Sequence, residues 1–215
     1  MPDAGSMMIE EQLALRTAVS RLREQFEGVF GVETIERFLY SSYDEFAPRA
    51  TIRKYLALMA ERFARQRLTA LAKVEGHPVS DGAPIVLFLC IHNAGRSQMA
   101  LGWLTHLAGD KAVAWSGGSD PTSQMNPAAV AAMAEIGIDI SSEFPKPWTD
   151  EIVGAADVVV TMGCGDACPI FPGKDYQDWD VPDPAGQPLE VVRPIRDQIG
   201  RRVRALLQEL QVPVT

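Results

Sequence analysis

Cysteine is scarce in this 215-residue chain: there are three, Cys90, Cys164 and Cys168. An odd number so sparsely placed excludes a disulfide framework and suits a reducing cytoplasm, where thiols are working groups. Histidine is equally rare, and His77, His92 and His106 are scattered, which disfavours a zinc site built from paired ligands. No apolar run approaches the roughly 20 residues that a membrane-spanning helix needs. Residues 1–11 carry acids and no basic stretch, so a secretory signal is not expected. Net basicity is also missing. Twenty Lys and Arg face 28 Asp and Glu, for a net charge of −8. Residues 1–80 hold 11 of each sign, so residues 81–215, with 9 against 17, carry the whole imbalance. That acidity argues against nonspecific nucleic-acid binding by the second half.

What is present is an ordinary globular composition, 47% apolar and 22% charged, long enough for one domain with an appendage. The first 75 or so residues read as helices. Leu13, Val19, Leu22, Phe26 and Val29 recur at helical spacing before Gly28 and Gly31 end the pattern. Residues 32–46 form a second stretch, with Ile35, Phe38, Leu39 and Tyr43 on one face. A third runs from about 49 to 74 with Ile52, Leu56, Met59, Phe63 and Leu71 as its stripe. Short connections predict a small antiparallel three-helix bundle over 1–80, and 76–84 reads as a linker.

Over 81–215 the pattern alternates strand and helix. Strands are predicted at 85–89, 112–115 and 158–161, with helices at 96–107, 126–136 and about 194–211. Ser116-Gly117-Gly118 reads as a turn, and the stretch after 161 as a polar loop. This alternation predicts an α/β fold with a doubly wound parallel sheet, whose ligand crevice lies beyond the carboxyl ends of its strands.

Cys90 stands at one such end, followed by Ile91-His92-Asn93-Ala94-Gly95 and then Arg96-Ser97. The five intervening residues suit a tight loop whose N–H groups converge on one point, and a helix starting near Ser97 would aim its positive end there. Arg96 adds a planar fork of donors for a tetrahedral oxyanion such as phosphate or arsenate. The same field favours the thiolate of Cys90. Taken alone, a C-x5-R spacing recurs by chance and a buried cysteine is a small hydrophobe. The strand before it and the helical Gln98-Met99-Ala100 after it supply the context that a motif requires.

Cys164 and Cys168 follow the third predicted strand, so all three cysteines can gather at one rim. A resolving pair that closes a disulfide on an oxidised intermediate is one reading; inert thiols or a metal are the others. Displacing hydroxide from an oxyanion also needs a proton donor. Asp183 in Asp183-Pro184-Ala185-Gly186 is the candidate and Asp180 its nearest rival, although Asp-Pro segments are commonly plain turns.

Residues 85–210 resemble the arsenate reductases built on the low-molecular-weight tyrosine phosphatase fold. The resemblance rests on Cys90-x5-Arg96-Ser97-Gln98-Met99-Ala100, Ser116-x-Gly118, Asn126-Pro127, Asp139-Ile140-Ser141, Asp157-x-Val159-Val160-Thr161, Cys168-Pro169-Ile170 and Asp183-Pro184-Ala185-Gly186. It implies attack on arsenate by Cys90, an anion held by Arg96 and the amides of 91–96, and a Ser97 hydrogen bond to sulfur. It also implies Asp183 as proton donor and a second thiol, Cys164, Cys168 or a small molecule, that displaces arsenite. No bound cofactor is implied; thioredoxin, or mycothiol with a glutaredoxin-like reductant, would supply electrons. Three departures stand out. Cys164 and Cys168 are closer together than in thioredoxin-coupled members, the 91–95 loop is similar to actinobacterial members, some of which use mycothiol, and Leu101 replaces an acid that helps bind potassium, so no metal site is carried over.

The alternative is a tyrosine phosphatase working through a Cys90 phosphoenzyme, since the cradle does not separate phosphate from arsenate by shape. Against it, Gln98 replaces the proline expected after Arg-Ser, and no aromatic follows Asp183-Pro184. For the N-terminal helices, the basic stretch 49–73 admits nucleic-acid binding, but a homodimer contact or docking within the chain is the favoured expectation.

Overall fold

Six consecutive apolar residues, Ile85–Cys90, form strand β1, buried along its whole length. Such an unbroken run requires cover on both faces and neighbours on both edges, as in a central parallel strand. In the computed structural model, which describes residues 9–50, 53–78, 82–163 and 170–214, β1 is that strand. It pairs in parallel with β2 (Val113–Gly118) on one side and β3 (Val158–Thr161) on the other, so that Leu87 faces Trp115 and Val159. A fourth strand, β4 (Asp175–Asp178), pairs in parallel with β3 and completes the order β2-β1-β3-β4. The fold is the expected parallel α/β sheet preceded by helices.

The chain divides into two compact units, Met1–Val79 and Ser80–Thr215. The first holds α1 (Ile9–Gln25), α2 (Val32–Phe46) and α3 (Leu56–Val74). Two corrections apply to its apolar stripes. Leu13 is exposed at 66% while Leu15 is buried at 1%, because the helix turns the 15-18-19-22 face inward. In α3 the buried face carries Leu56, Phe63 and Leu68 among the alanines 57, 60, 64, 70 and 72. Met59 and Leu71 are only partly buried, and Ile52 lies outside the described residues. Small side chains allow close packing without advertising a hydrophobic stripe. The basic residues of this stretch are engaged within the unit. Arg53 Nε donates to Glu11 Oε1 at 3.0 Å, Arg65 Nη2 to Glu61 Oε1 at 2.9 Å, and the Arg67 guanidinium lies 4.6 Å from the Phe38 ring centroid.

In the second unit, α4 (Arg96–Ala108), α5 (Pro127–Ala134), α6 (Asp150–Ala155) and α7 (Leu189–Glu209) accompany the sheet. Asn126 caps α5, its Oδ1 accepting from the N–H groups of Ala128 and Ala129. The expected turn at 116–118 is instead strand, because the β1 ladder continues until Cys90 faces Gly118. β4 and α6 arise where a loop or nothing was predicted, and α7 begins at Leu189 rather than near Pro194, which lies in its second turn. One core contact fixes α4 against α7. Trp103 Nε1 donates to Arg196 O at 3.1 Å, and a Cβ added to Gly200 would meet the Trp103 ring at 2.6 Å.

Candidate active site

The loop 91–95 owes its shape to where its carbonyls go. All five are tied outward or sideways. Ile91 O accepts from Asp120 N at 2.9 Å, His92 O from Thr122 N at 3.2 Å, and Ala94 O from Asn126 N at 3.0 Å. Gly95 O accepts from Met99 N at 2.9 Å, opening α4, and Asn93 O takes the Gln98 Nε2 proton at 3.0 Å. A loop with its carbonyls turned away presents its N–H groups on the other side, an anion-binding concavity. α4 begins at Arg96 and adds its positive end to that concavity.

Cys90 is 3% exposed, at the carboxyl end of the central strand. Its Sγ lies 3.0 Å from Ser97 Oγ. Asn93, which adopts φ 48, donates from Nδ2 to the same Ser97 oxygen at 2.8 Å. Because Ser97 Oγ accepts there, its single proton is left for the sulfur, a charge-assisted bond when the sulfur is a thiolate. Asn93 is fully buried. Its side chain therefore supports Ser97 rather than lining the cavity.

A cavity of about 550 Å³ opens in front of the thiol, lined by Cys90, His92, Arg96, Asp183 and the segments 122–124, 126–128 and 184–187. Arg96 is 7% exposed, yet its fork reaches the cavity. Nη2 donates to Asp183 Oδ2 at 2.9 Å and Nη1 to Val181 O at 3.4 Å. Gly163, at φ 72, lets the backbone pass beside Nη1, where a Cβ would stand at 2.6 Å. The other Asp183 oxygen accepts from Ala185 N at 3.0 Å, which fixes the turn that a plain Asp-Pro segment would make. Asp180 is exposed and does not line the cavity; its carbonyl accepts from Gln198 and Arg202 on α7. Cys90, Arg96, Ser97 and Asp183 are thus brought together, while Cys164 and Cys168 lie outside the described residues. Among the described residues no three His, Cys, Asp or Glu side chains converge as metal ligands.

Sequence reasoning missed the support behind the loop. Gln98 Nε2 lies within hydrogen-bond distance of Asn93 O, Asn93 Oδ1 and Phe144 O, at 3.0, 3.1 and 3.1 Å. Lys146 N also donates to Asn93 Oδ1 at 3.0 Å, and its buried side chain reaches Ser116 on β2. The replacement of a proline by Gln98 was the signal in the sequence, since a buried amide there needs partners.

Residues 85–214 match the low molecular weight phosphotyrosine protein phosphatase family, over more than half of the chain. The chain belongs to that family. Residues 15–72 match a second description, the protein-tyrosine-phosphatase-like N-terminal domain. Among solved structures, the thioredoxin-dependent arsenate reductase of Corynebacterium glutamicum is 41% identical, with a TM-score of 0.83 over 94% of this chain and 98% of that one. Arsenate reductase 2 of Staphylococcus haemolyticus is 40% identical over 124 residues, covering 56% of this chain and 93% of that protein. The glutaredoxin arsenate reductase of Synechocystis is 38% identical over 128 residues, 58% of this chain and 96% of its own length. The similarity to the Corynebacterium enzyme reaches beyond the phosphatase-like half.

Proposed function

We propose that this member of the phosphatase family reduces arsenate to arsenite, with Cys90 as nucleophile. The observation that carries the reading is the Ser97 oxygen 3.0 Å from Cys90 Sγ, beside a loop whose five carbonyls are all taken up by hydrogen bonds. Similarity to the Corynebacterium arsenate reductase over 94% of the chain supports the choice of oxyanion.

The Cys90 thiolate attacks arsenic(V), forming an S–As bond while an oxygen leaves as water, its proton supplied by Asp183 in its acid form. Arg96 and the loop N–H groups of 91–96 hold the remaining oxygens. A second thiolate then attacks Cys90 sulfur. The new S–S bond forms as the S–As pair passes to arsenic, so arsenic gains two electrons and two thiols become one disulfide. We assign the second thiol to Cys164 or Cys168 and the final reductant to thioredoxin, in line with the name of the Corynebacterium relative. With mycothiol instead, Cys90 alone would suffice and a glutaredoxin-like protein would recycle the mixed disulfide.

The phosphatase alternative shares the cradle. Among the described residues that line the cavity there is no Phe, Tyr or Trp to stack on a phosphotyrosine. The test is arsenate-dependent NADPH oxidation with thioredoxin or mycothiol recycling systems, for wild type and Cys164→Ser. Thioredoxin-supported turnover that vanishes in the variant is expected. Turnover with neither system, together with rapid aryl phosphate hydrolysis, would replace this reading by the phosphatase.

For the helical unit we propose a homodimer contact, and for the protein a cytoplasmic location. Support for the dimer comes from Ile9, Leu13 and Leu58, which are exposed at 84%, 66% and 54%, the latter two lining one groove between α1 and α3. Arg53 and Arg65 of its basic stretch already pair with Glu11 and Glu61, which weighs against nucleic acid as a partner. Sedimentation of the wild type and Leu13→Glu tests the dimer: a dimer that becomes monomeric is expected. No described helix is long and apolar enough to cross a membrane.

A further inference from the structure

Asn93 Oδ1 faces two N–H donors, Gln98 Nε2 at 3.1 Å and Lys146 N at 3.0 Å. A backbone N–H can only donate, so Lys146 N and Gln98 Nε2 together hold Oδ1 on their side and leave Nδ2 for Ser97. If the carboxamide turned over, Nδ2 would meet two donors and Oδ1 would meet Ser97. The Ser97 proton would then go to Oδ1 and the sulfur would lose its donor. Gln98 fixes more than this amide. The same Nε2 lies 3.0 Å from Asn93 O, a loop carbonyl with no backbone N–H partner among the described residues. Gln98 is itself held: its Nε2 also meets Phe144 O at 3.1 Å, and turning its amide would set Oε1 against three acceptors. In the observed orientation Gln98 Oε1 is buried with no hydrogen-bond partner among the described residues. A buried orphan carbonyl is costly, so the donor side of this amide is what the site retains it for.

We propose that Gln98 is a positioning residue for the Cys90 thiolate, acting through Asn93 and Ser97 without touching substrate. This deepens the assignment of Cys90 as nucleophile and rests on it. It does not depend on whether the oxyanion is arsenate or phosphate.

The experiment uses the full chain as wild type, Gln98→Met and Gln98→Glu. Iodoacetamide labelling of the Cys90 peptide is followed by mass spectrometry from pH 6 to pH 10. Gln98→Met keeps the volume and removes the donors. It is expected to slow labelling about tenfold at pH 6.5, the scale of one hydrogen bond to a charged group, and to leave the rate at pH 10 within about twofold. Arsenate kcat should fall with it while KM changes less. Gln98→Glu, nearly isosteric, puts an acceptor where the donor was when ionised, and should slow labelling at least as much. If Gln98→Met fails to fold by circular dichroism, Gln98→Glu carries the test. A folded variant whose labelling profile matches the wild type at every pH overturns the proposal. Wild-type arsenate turnover, measured alongside, tests the functional reading separately.

Discussion

Arg96 Nη2 donates to Asp183 Oδ2 at 2.9 Å, so the guanidinium at the base of the cradle already holds a carboxylate. Arg96 is buried while the Asp183 side chain is 46% exposed. The carboxylate is therefore the partner that can swing aside. In the proposed reaction an arriving oxyanion would compete with Asp183 for the same fork.

Asp183→Asn removes both the proposed proton donor and the charge paired with Arg96. Arsenate turnover should fall about 100-fold, within the range of a lost general acid. Inorganic phosphate should bind several-fold more tightly as an inhibitor, because Arg96 no longer holds an anion. Steady-state kinetics with a phosphate inhibition series reads both, and an unchanged inhibition constant would show that the ion pair does not gate the cradle.

Ser97→Ala leaves the loop backbone intact and deletes the donor 3.0 Å from the sulfur. A hydrogen bond to a charged group contributes about 1.5–3 kcal/mol. The expected loss in kcat is therefore about 10- to 100-fold, with the circular dichroism spectrum unchanged. Stopped-flow measurement of the first arsenate-dependent step locates the loss at nucleophilic attack; a normal first step would assign it elsewhere.

Gly163→Ala places a methyl group 2.6 Å from Arg96 Nη1, at a φ of 72 that an alanine adopts only with strain. Displacing the fork should weaken oxyanion binding about tenfold, given how steeply activity falls with misplacement of order 1 Å. Arsenate KM and phosphate inhibition should move together. Fluorescence-monitored unfolding checks that the fold survives.

Glu135, at the C-terminal end of α5, gives a pH prediction. Hydrogen bonds from Arg193 hold its carboxyl below the ordinary value of 4.5. A depressed carboxylate contributes its stability in full above the unfolded value and loses it as pH falls through the folded one. Glu135→Gln should thus lower Tm at pH 7 and differ progressively less from the wild type below pH 4.5. Thermal unfolding from pH 3 to pH 7 measures the convergence, and parallel curves would exclude the ion pair as its source.

The thiol, the arginine and the serine were legible because the cradle is one continuous segment between a strand and a helix. Asp183 was legible as a requirement of the chemistry and through the Asp183-Pro184-Ala185-Gly186 match, but not through proximity, since 87 residues separate it from Arg96. The props behind the loop were not readable, because Phe144 and Lys146 meet Gln98 and Asn93 across 46 and 53 positions. β4 escaped notice for a different reason. Its sequence, Asp175-Tyr176-Gln177-Asp178, has no apolar pattern, and it is a strand because β3 offers it a free edge. In α1 the choice between Leu13 and Leu15 turned on which face the bundle buries, something only tertiary packing decides.

The notch at Gly200 has a reach that its location hides. Trp103 seats in it two turns along α4 from Arg96, about 10 Å by the rise of an α-helix. α4 is thereby stopped lengthwise against α7, much as a shaft is held by its collar. A side chain at position 200 would push that shaft, and the guanidinium at its tip would lose its aim. Drift in the C-terminal helix, more than 100 residues from the thiol, is therefore answerable to turnover as well as to folding.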